Sequence, residues 1–278
     1  MTEVTAHHGL FKDTKLHVDD TGGSGRPVVL IHGWPLSGES FKNQISALQQ
    51  GGFRVITYDR RGFGRSDSPM RGYTYDVLTE DLHTLLEELD LNDATLVGFS
   101  MGGGEVARYV SHYGADRVRS VVFASAVPPY LMQTDDNPDG PLKPTEAAKM
   151  TEDLTKDQDS FYDSFTKTFF SVNGELKVSE AQRQEALALC KQADKKAAIA
   201  CMEAFASTDF RQDLQKVTVP ALVLHGDGDA TVPFKGSGQR THEAIPTSEL
   251  HVIAGGPHGC NVSHPDEWND ALLKFLAS

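Results

Sequence analysis

A short, mostly apolar run, Ala94 to Phe99, leads straight into Gly98-Phe99-Ser100-Met101-Gly102, and a helix-like stretch, Met101 to Tyr113, begins at once. A run that is apolar on both alternating faces suits a strand buried on both sides of a sheet. The chain must then turn from strand to helix within a residue or two. Glycine on either side of Ser100 permits so tight a turn and so close a helix–strand contact, because it brings no Cβ. The hydroxyl of Ser100 would project from the top of the sheet. Strand, Gly-x-Ser-x-Gly turn and helix together are the context of a nucleophile elbow. The plainer reading is a glycine-rich turn, or a phosphate cradle at a helix N-terminus.

Other runs of the same kind recur along the chain: Val28 to Ile31, Val55 to Tyr58, Val118 to Ala124, Ala221 to Leu224 and Leu250 to Ile253. Helical spacing separates them, as in Tyr75 to Leu89 and Glu267 to Leu276. Alternating strands and helices predict an α/β fold: a mostly parallel central sheet with helices on both faces. Residues 127–216 break the rhythm. They open with Pro128-Pro129 and Asn137-Pro138-Asp139-Gly140-Pro141, which is turn chemistry. Helical patterns follow over Glu146 to Leu154, Asp159 to Phe170, Ser179 to Cys190 and Lys195 to Phe205, with no convincing strand. The expected organisation is a core of residues 1–126 and 217–278 carrying a helical cap, or lid, of residues 127–216.

The 278 residues contain 26 Lys and Arg against 39 Asp and Glu, a net charge of −13. That balance argues against nucleic acid and anionic membrane surfaces as partners, since both want a basic patch. No stretch approaches the ~18 apolar residues of a membrane span. The polar start (Thr2, Glu3, His7, His8, Lys12, Asp13) lacks the apolar segment of a secretory signal. Cys190, Cys201 and Cys260 are odd in number and form no C-x-x-C pair, so they read as buried hydrophobes in a reducing cytoplasm.

A serine needs a base to take its proton. Among 11 histidines, His258 has the fitting context: it follows the last strand within Gly255-Gly256-Pro257-His258-Gly259. His225 and His251 lie in or next to strands, where packing is the expected role, and His32 belongs to an earlier loop. The acid should end a strand between Ser100 and the histidine. Asp227 and Asp229, in Gly226-Asp227-Gly228-Asp229, both qualify. The order Ser, Asp, His belongs to one hydrolase fold and differs from other triad folds. Calcium is disfavoured, because Gly238 stands where an acidic ligand would be needed at loop position 12. No H-E-x-x-H spacing suggests another metal, so neither metal nor cofactor is expected. Two backbone donors for an oxyanion are expected at Met101, directly after the serine, and at Trp34, in His32-Gly33-Trp34-Pro35.

On these segments, with Tyr58-Asp59-Arg60-Arg61-Gly62-Phe63-Gly64-Arg65-Ser66, Ser125-Ala126-Val127-Pro128-Pro129 and Thr208-Asp209-Phe210-Arg211, the chain resembles the α/β-hydrolases. Within them it is similar to the cofactor-free haloperoxidases, or perhydrolases, and the aryl esterases. The resemblance covers nearly the whole length. It implies Asp229, the second carboxylate of its motif, as the triad acid. It implies Phe99, Trp34, Val127 and Phe205 as pocket wall. Ala230-Thr231-Val232-Pro233 departs from the family's common Gln-Ile-Val-Pro, which makes the wall at Thr231 roomier or more polar. Relatives that cleave epoxides or carbon–halogen bonds carry Asp at the elbow, so Ser100 argues against both activities.

The implied activity is carboxylic-ester hydrolysis through an acyl-Ser100. Peracid formation follows when hydrogen peroxide replaces water, so the small-molecule partners are an ester, or a carboxylic acid plus peroxide. Lactone or γ-lactam hydrolysis on the same triad is the nearest alternative. A Ser/His acid–base lyase and a hydrolase-like small-molecule receptor are the alternatives from other classes. Relatives form assemblies, so a homo-oligomer is compatible.

Overall fold

The computed structural model describes residues 2–7 and 13–278; His8 and Lys12 of the polar start lie outside the described residues. An eight-stranded sheet runs through the molecule. Its strands are β1 (Thr2–Ala6), β2 (Thr14–Asp20), β3 (Pro27–Ile31), β4 (Arg54–Tyr58), β5 (Ala94–Phe99), β6 (Val118–Ala124), β9 (Ala221–Gly226) and β10 (Glu249–Ile253), with β7 (Ser171–Val172) and β8 (Glu175–Leu176) forming a separate hairpin. The spatial order is β1-β2-β4-β3-β5-β6-β9-β10. Pairing is parallel from β4 to β10 and antiparallel where β1 meets β2 and β2 meets β4.

The six strands expected from apolar runs are present, each within two residues of its expected ends. β5 and β9 are buried at every position, as a sheet covered on both faces requires. β1 and β2 carry no continuous apolar run. β2 alternates instead, with Thr14, Leu16 and Val18 buried and Lys15 exposed, which is the period-two pattern of a strand near a sheet edge.

Two groups of helices flank the sheet. One is α1 (Lys42–Gln50), α10 (Cys260–Ser263) and α11 (Pro265–Leu276); the other is α2 (Tyr75–Glu88), α3 (Gly102–Tyr113), α8 (Arg211–Leu214) and α9 (Gly238–Ala244). Between β6 and β9 the chain leaves the sheet for α4 (Pro144–Lys156), α5 (Gln158–Phe169), α6 (Glu180–Cys190) and α7 (Lys195–Ser207). The expectation that this stretch holds no strand is corrected by the β7–β8 hairpin. Its turn is Asn173-Gly174, both at positive φ (52° and 81°), the type I′ chemistry of a two-residue hairpin. Among the described residues no helix is long and apolar enough to cross a membrane. All three cysteines are buried and free.

Candidate active site

β5 ends against Ser100, whose φ of +53° places it in the left-handed region. The glycines around it hold that strain. A Cβ on Gly98 would stand 2.5 Å from the Gly102 carbonyl oxygen, and one on Gly102 would stand 2.4 Å from the Ile31 carbonyl oxygen. Both approaches exclude a side chain, so β5, β3 and α3 close around the turn and leave the Ser100 hydroxyl at the strand end.

Loops after β9 and β10 bring two more side chains to that hydroxyl. His258 Nε2 lies 2.9 Å from Ser100 Oγ, and His258 Nδ1 lies 2.6 Å from Asp229 Oδ2. All three residues are buried. A carboxylate only accepts, so Nδ1 carries the proton and Nε2 is left to accept from the serine hydroxyl. Asp229 Oδ1 accepts from the backbone N–H groups of Thr231 at 2.9 Å and Val232 at 2.7 Å. Burial by itself raises the Asp229 carboxyl. The charge of His258 and hydrogen bonds from His225 and His258 outweigh it and bring the group to about 2. The two competing carboxylates thus part. Asp227 is exposed and accepts the Gly255 N–H at 2.6 Å, a loop-closing bond away from Ser100.

His225 does more than the packing expected of it. Its ring is fully buried, and Nε2 donates to the Val232 carbonyl at 2.9 Å while lying 3.2 Å from Asp229 Oδ2. His251 is corrected: it sits on the edge strand, half-buried, against Glu267 at 3.1 Å.

The Trp34 and Met101 amides donate to no protein acceptor among the described residues. The Gly33 loop lies beside the serine: a Cβ on Gly33 would stand 3.0 Å from Ser100 Cβ. His32, in the loop after β3, steadies the Gly33–Trp34 peptide. The Arg60 N–H donates to its Nε2 at 2.9 Å. The neutral ring must then carry its proton on Nδ1, which donates to the Gly33 carbonyl at 2.8 Å. Burial first, and the Arg60 charge second, hold the His32 imidazole well below its ordinary range. Arg60 in turn is fixed by Glu105, which also accepts from Tyr58.

A cavity of about 280 Å³ opens on Ser100, lined by Trp34, Val127, Phe165, Phe205 and Thr231 among others. Phe99, expected in the wall, does not line it. Its ring packs 5.2 Å from the His258 ring, with Phe169 at 4.9 Å on another side, so the two aromatics hold the imidazole in place. Phe165 was not foreseen. It reaches the cavity from α5, 5.3 Å from the Trp34 ring. The Thr231 hydroxyl is buried without a partner among the described residues.

A serine hydroxyl, an imidazole in the accepting tautomer, an ionised carboxylate and unused amides at a small cavity form an arrangement that can carry acyl transfer. Residues 26–265 match the family model described as the alpha/beta hydrolase fold, and the chain belongs to that family. It is 41% identical to a non-heme chloroperoxidase of Kitasatospora aureofaciens, over 91% of this chain and 93% of that protein. It is 37% identical to a bifunctional esterase/perhydrolase of Acinetobacter calcoaceticus, over 93% and 95%. The crystal structure of a bromoperoxidase from Bacillus anthracis superimposes with a TM-score of 0.95 at 50% identity, covering 100% of this chain and 99% of that one.

Proposed function

We propose that this protein is a serine hydrolase of small carboxylic esters that also makes peracids. The observation that carries the reading is the hydrogen-bonded series Asp229, His258, Ser100 ending at the cavity. His258 Nε2 takes the Oγ proton as Ser100 attacks the ester carbonyl. Asp229 holds the imidazole and balances its charge. The Trp34 and Met101 amides receive the oxyanion; losing one such donor costs roughly 100–1,000-fold in turnover. The tetrahedral intermediate collapses, His258 returns the proton to the departing alcohol, and acyl-Ser100 remains. Water then attacks the acyl carbon, with His258 again the base, and yields the acid. Hydrogen peroxide in place of water yields the peracid. Released peracid oxidises halide to hypohalous acid and is itself reduced to the carboxylic acid. The names of the chloroperoxidase and esterase/perhydrolase relatives support this pairing of activities.

In this reading residues 127–216 act as the cap that shapes the substrate cavity. Three buried, unpaired cysteines suit a reducing compartment such as the cytoplasm.

The test compares p-nitrophenyl acetate hydrolysis by wild type and Ser100→Ala, each with and without hydrogen peroxide and a short carboxylic acid. Wild type should turn over. The variant should lose at least about 10⁴-fold in kcat, and the peroxide arm should form peracid only in wild type. A slowly deacylating ester should add one acyl mass to Ser100. Full turnover by the variant would overturn the reading.

A further inference from the structure

A second cavity, also of about 280 Å³, lies between α4 and α7. Leu142, Met150 and Phe205 line both it and the cavity at Ser100. The two spaces therefore share a side-chain wall. At its outer end Pro144, Ala148 and Glu203 are exposed, so the second cavity meets solvent on the far side of the cap.

Its chemistry restricts what can occupy it. Met132, Ala147, Met202 and Ala206 supply apolar surface. The two hydroxyls in the lining are already used. Thr151 Oγ1 donates to the Ala147 carbonyl at 3.2 Å, and Ser207 Oγ donates to the Glu203 carbonyl at 2.7 Å. Neither has a free proton to donate to a ligand oxygen, and the rest of the inner lining is apolar, so an apolar occupant is favoured. The cavity at Ser100 is itself just below the usual ~300–1,000 Å³ of ligand sites. A longer substrate needs more room, and the shared wall is where it lies. Met150 is unbranched and only half-buried, a side chain able to turn aside.

We propose that the second cavity receives the alkyl tail of a medium-chain ester, with Met150 and Phe205 as the gate between tail and reacting carbonyl. The inference rests on Ser100 as the acylated residue. Either the acyl chain or the alcohol chain of the ester could supply such a tail, and two substrate series distinguish them.

The experiment measures kcat/KM for p-nitrophenyl acetate against p-nitrophenyl octanoate, and for ethyl acetate against octyl acetate. The enzymes are wild type, Phe205→Ala and Met150→Ala, each with and without a filling substitution, Ala147→Phe or Thr151→Phe. Opening the gate should raise the long-to-short ratio at least tenfold in one series, the effect of about two newly buried methylenes at roughly fourfold each. Filling should cancel the gain. The series that responds names the end of the ester that carries the tail. If neither ratio moves, or if the gain survives both fillers, the inference is overturned while acetate turnover leaves the esterase reading standing. If wild type hydrolyses none of the four esters, the esterase reading falls and takes this one with it.

Discussion

Asp229 reaches Ser100 through His258, Trp34 shares the cavity lining with Ser100, and the two are held by different forces. The Asp229 carboxylate is pinned by directional bonds: two amides on Oδ1, His258 on Oδ2 at 2.6 Å, and His225 nearby at 3.2 Å. The Trp34 ring is tied by one directional bond, Nε1–H to the Ala198 carbonyl at 2.9 Å, and otherwise meets other rings: Phe165 at 5.3 Å, Phe205 at 5.6 Å, and Phe161 and Tyr162 at 6.1 Å, all edge-on. A hydrogen bond weakens steeply when its angle or length slips. Apolar contact is nearly non-directional and grows with area. The loops at the strand ends should therefore fail at the loss of one atom, and the aromatic wall should degrade by degrees.

The sharpest break of that contrast is Asp229→Asn. The new amide can donate toward His258 Nδ1, which favours the tautomer whose Nε2 can no longer accept from Ser100. With the packing intact, kcat for p-nitrophenyl acetate should fall by about 10⁴. A loss under tenfold would remove Asp229 from the mechanism.

The same carboxylate marks the pH profile. Its folded value of about 2 lies below the ordinary 3.8, so its contribution to stability is present above the unfolded value and is lost as pH falls toward 2. A shift of this size is on the order of 2 kcal/mol. Urea unfolding of wild type and Asp229→Asn should thus converge by that amount between pH 5 and pH 2. Midpoints of the two proteins that stay a constant distance apart from pH 5 to pH 2 would mean that its partners do not hold the Asp229 carboxylate ionised.

The contrast also explains what was legible in the sequence. Gly98 and Gly102 are spelled out because the backbone approach leaves no room for a side chain, and they mark Ser100 between them. The parallel strands announced themselves by burial on both faces, whereas β2 hid because only alternate residues are buried. Residue types alone left Asp227 and Asp229 equal. The resemblance to the perhydrolases chose between them, and the Gly255 N–H bond shows what Asp227 does instead. Phe165 carried no signal. Its place in the cavity depends on how α5 lies over the sheet, and helical spacing fixes which residues share a face, not where that face points. Phe99 misled for the opposite reason: it is next to Ser100 in sequence, yet its ring packs against the His258 ring and does not line the cavity. His32 could have been found, since His32-Gly33 precedes the oxyanion candidate, but its partner Arg60 comes from the neighbouring strand end.

Between the two regimes lies His225. Its Nε2 contact helps hold Asp229 Oδ2, yet the amides and His258 remain if it is lost. The Nε2–H of His225 is shared between the Val232 carbonyl and Asp229, so His225→Leu should lower kcat by up to about tenfold, the low end of a hydrogen bond to a charged group, with KM nearly unchanged. It should also raise the pH at which Asp229 takes its proton, so that the urea convergence with Asp229→Asn begins at higher pH. Intact kcat with an unmoved convergence would assign His225 to packing alone.

The smallest effect belongs to the wall. Phe165→Leu keeps an apolar side chain and shortens its reach toward Trp34, a change that cores usually absorb for less than about 1.5 kcal/mol. The chemical step should be untouched, because no atom of Phe165 bonds to Ser100, His258 or Asp229. The rate of Ser100 labelling by a small fluorophosphonate should stay within about twofold of wild type. The ratio of kcat/KM for p-nitrophenyl benzoate over acetate should move two- to fivefold, since a ring in the substrate would occupy what the Phe165 ring vacates and would keep the edge-on contact to Trp34. A labelling rate that collapses with this substitution would mean that the aromatic wall positions the hydroxyl as tightly as the hydrogen bonds do. The division between directional loops and tolerant wall would then be wrong.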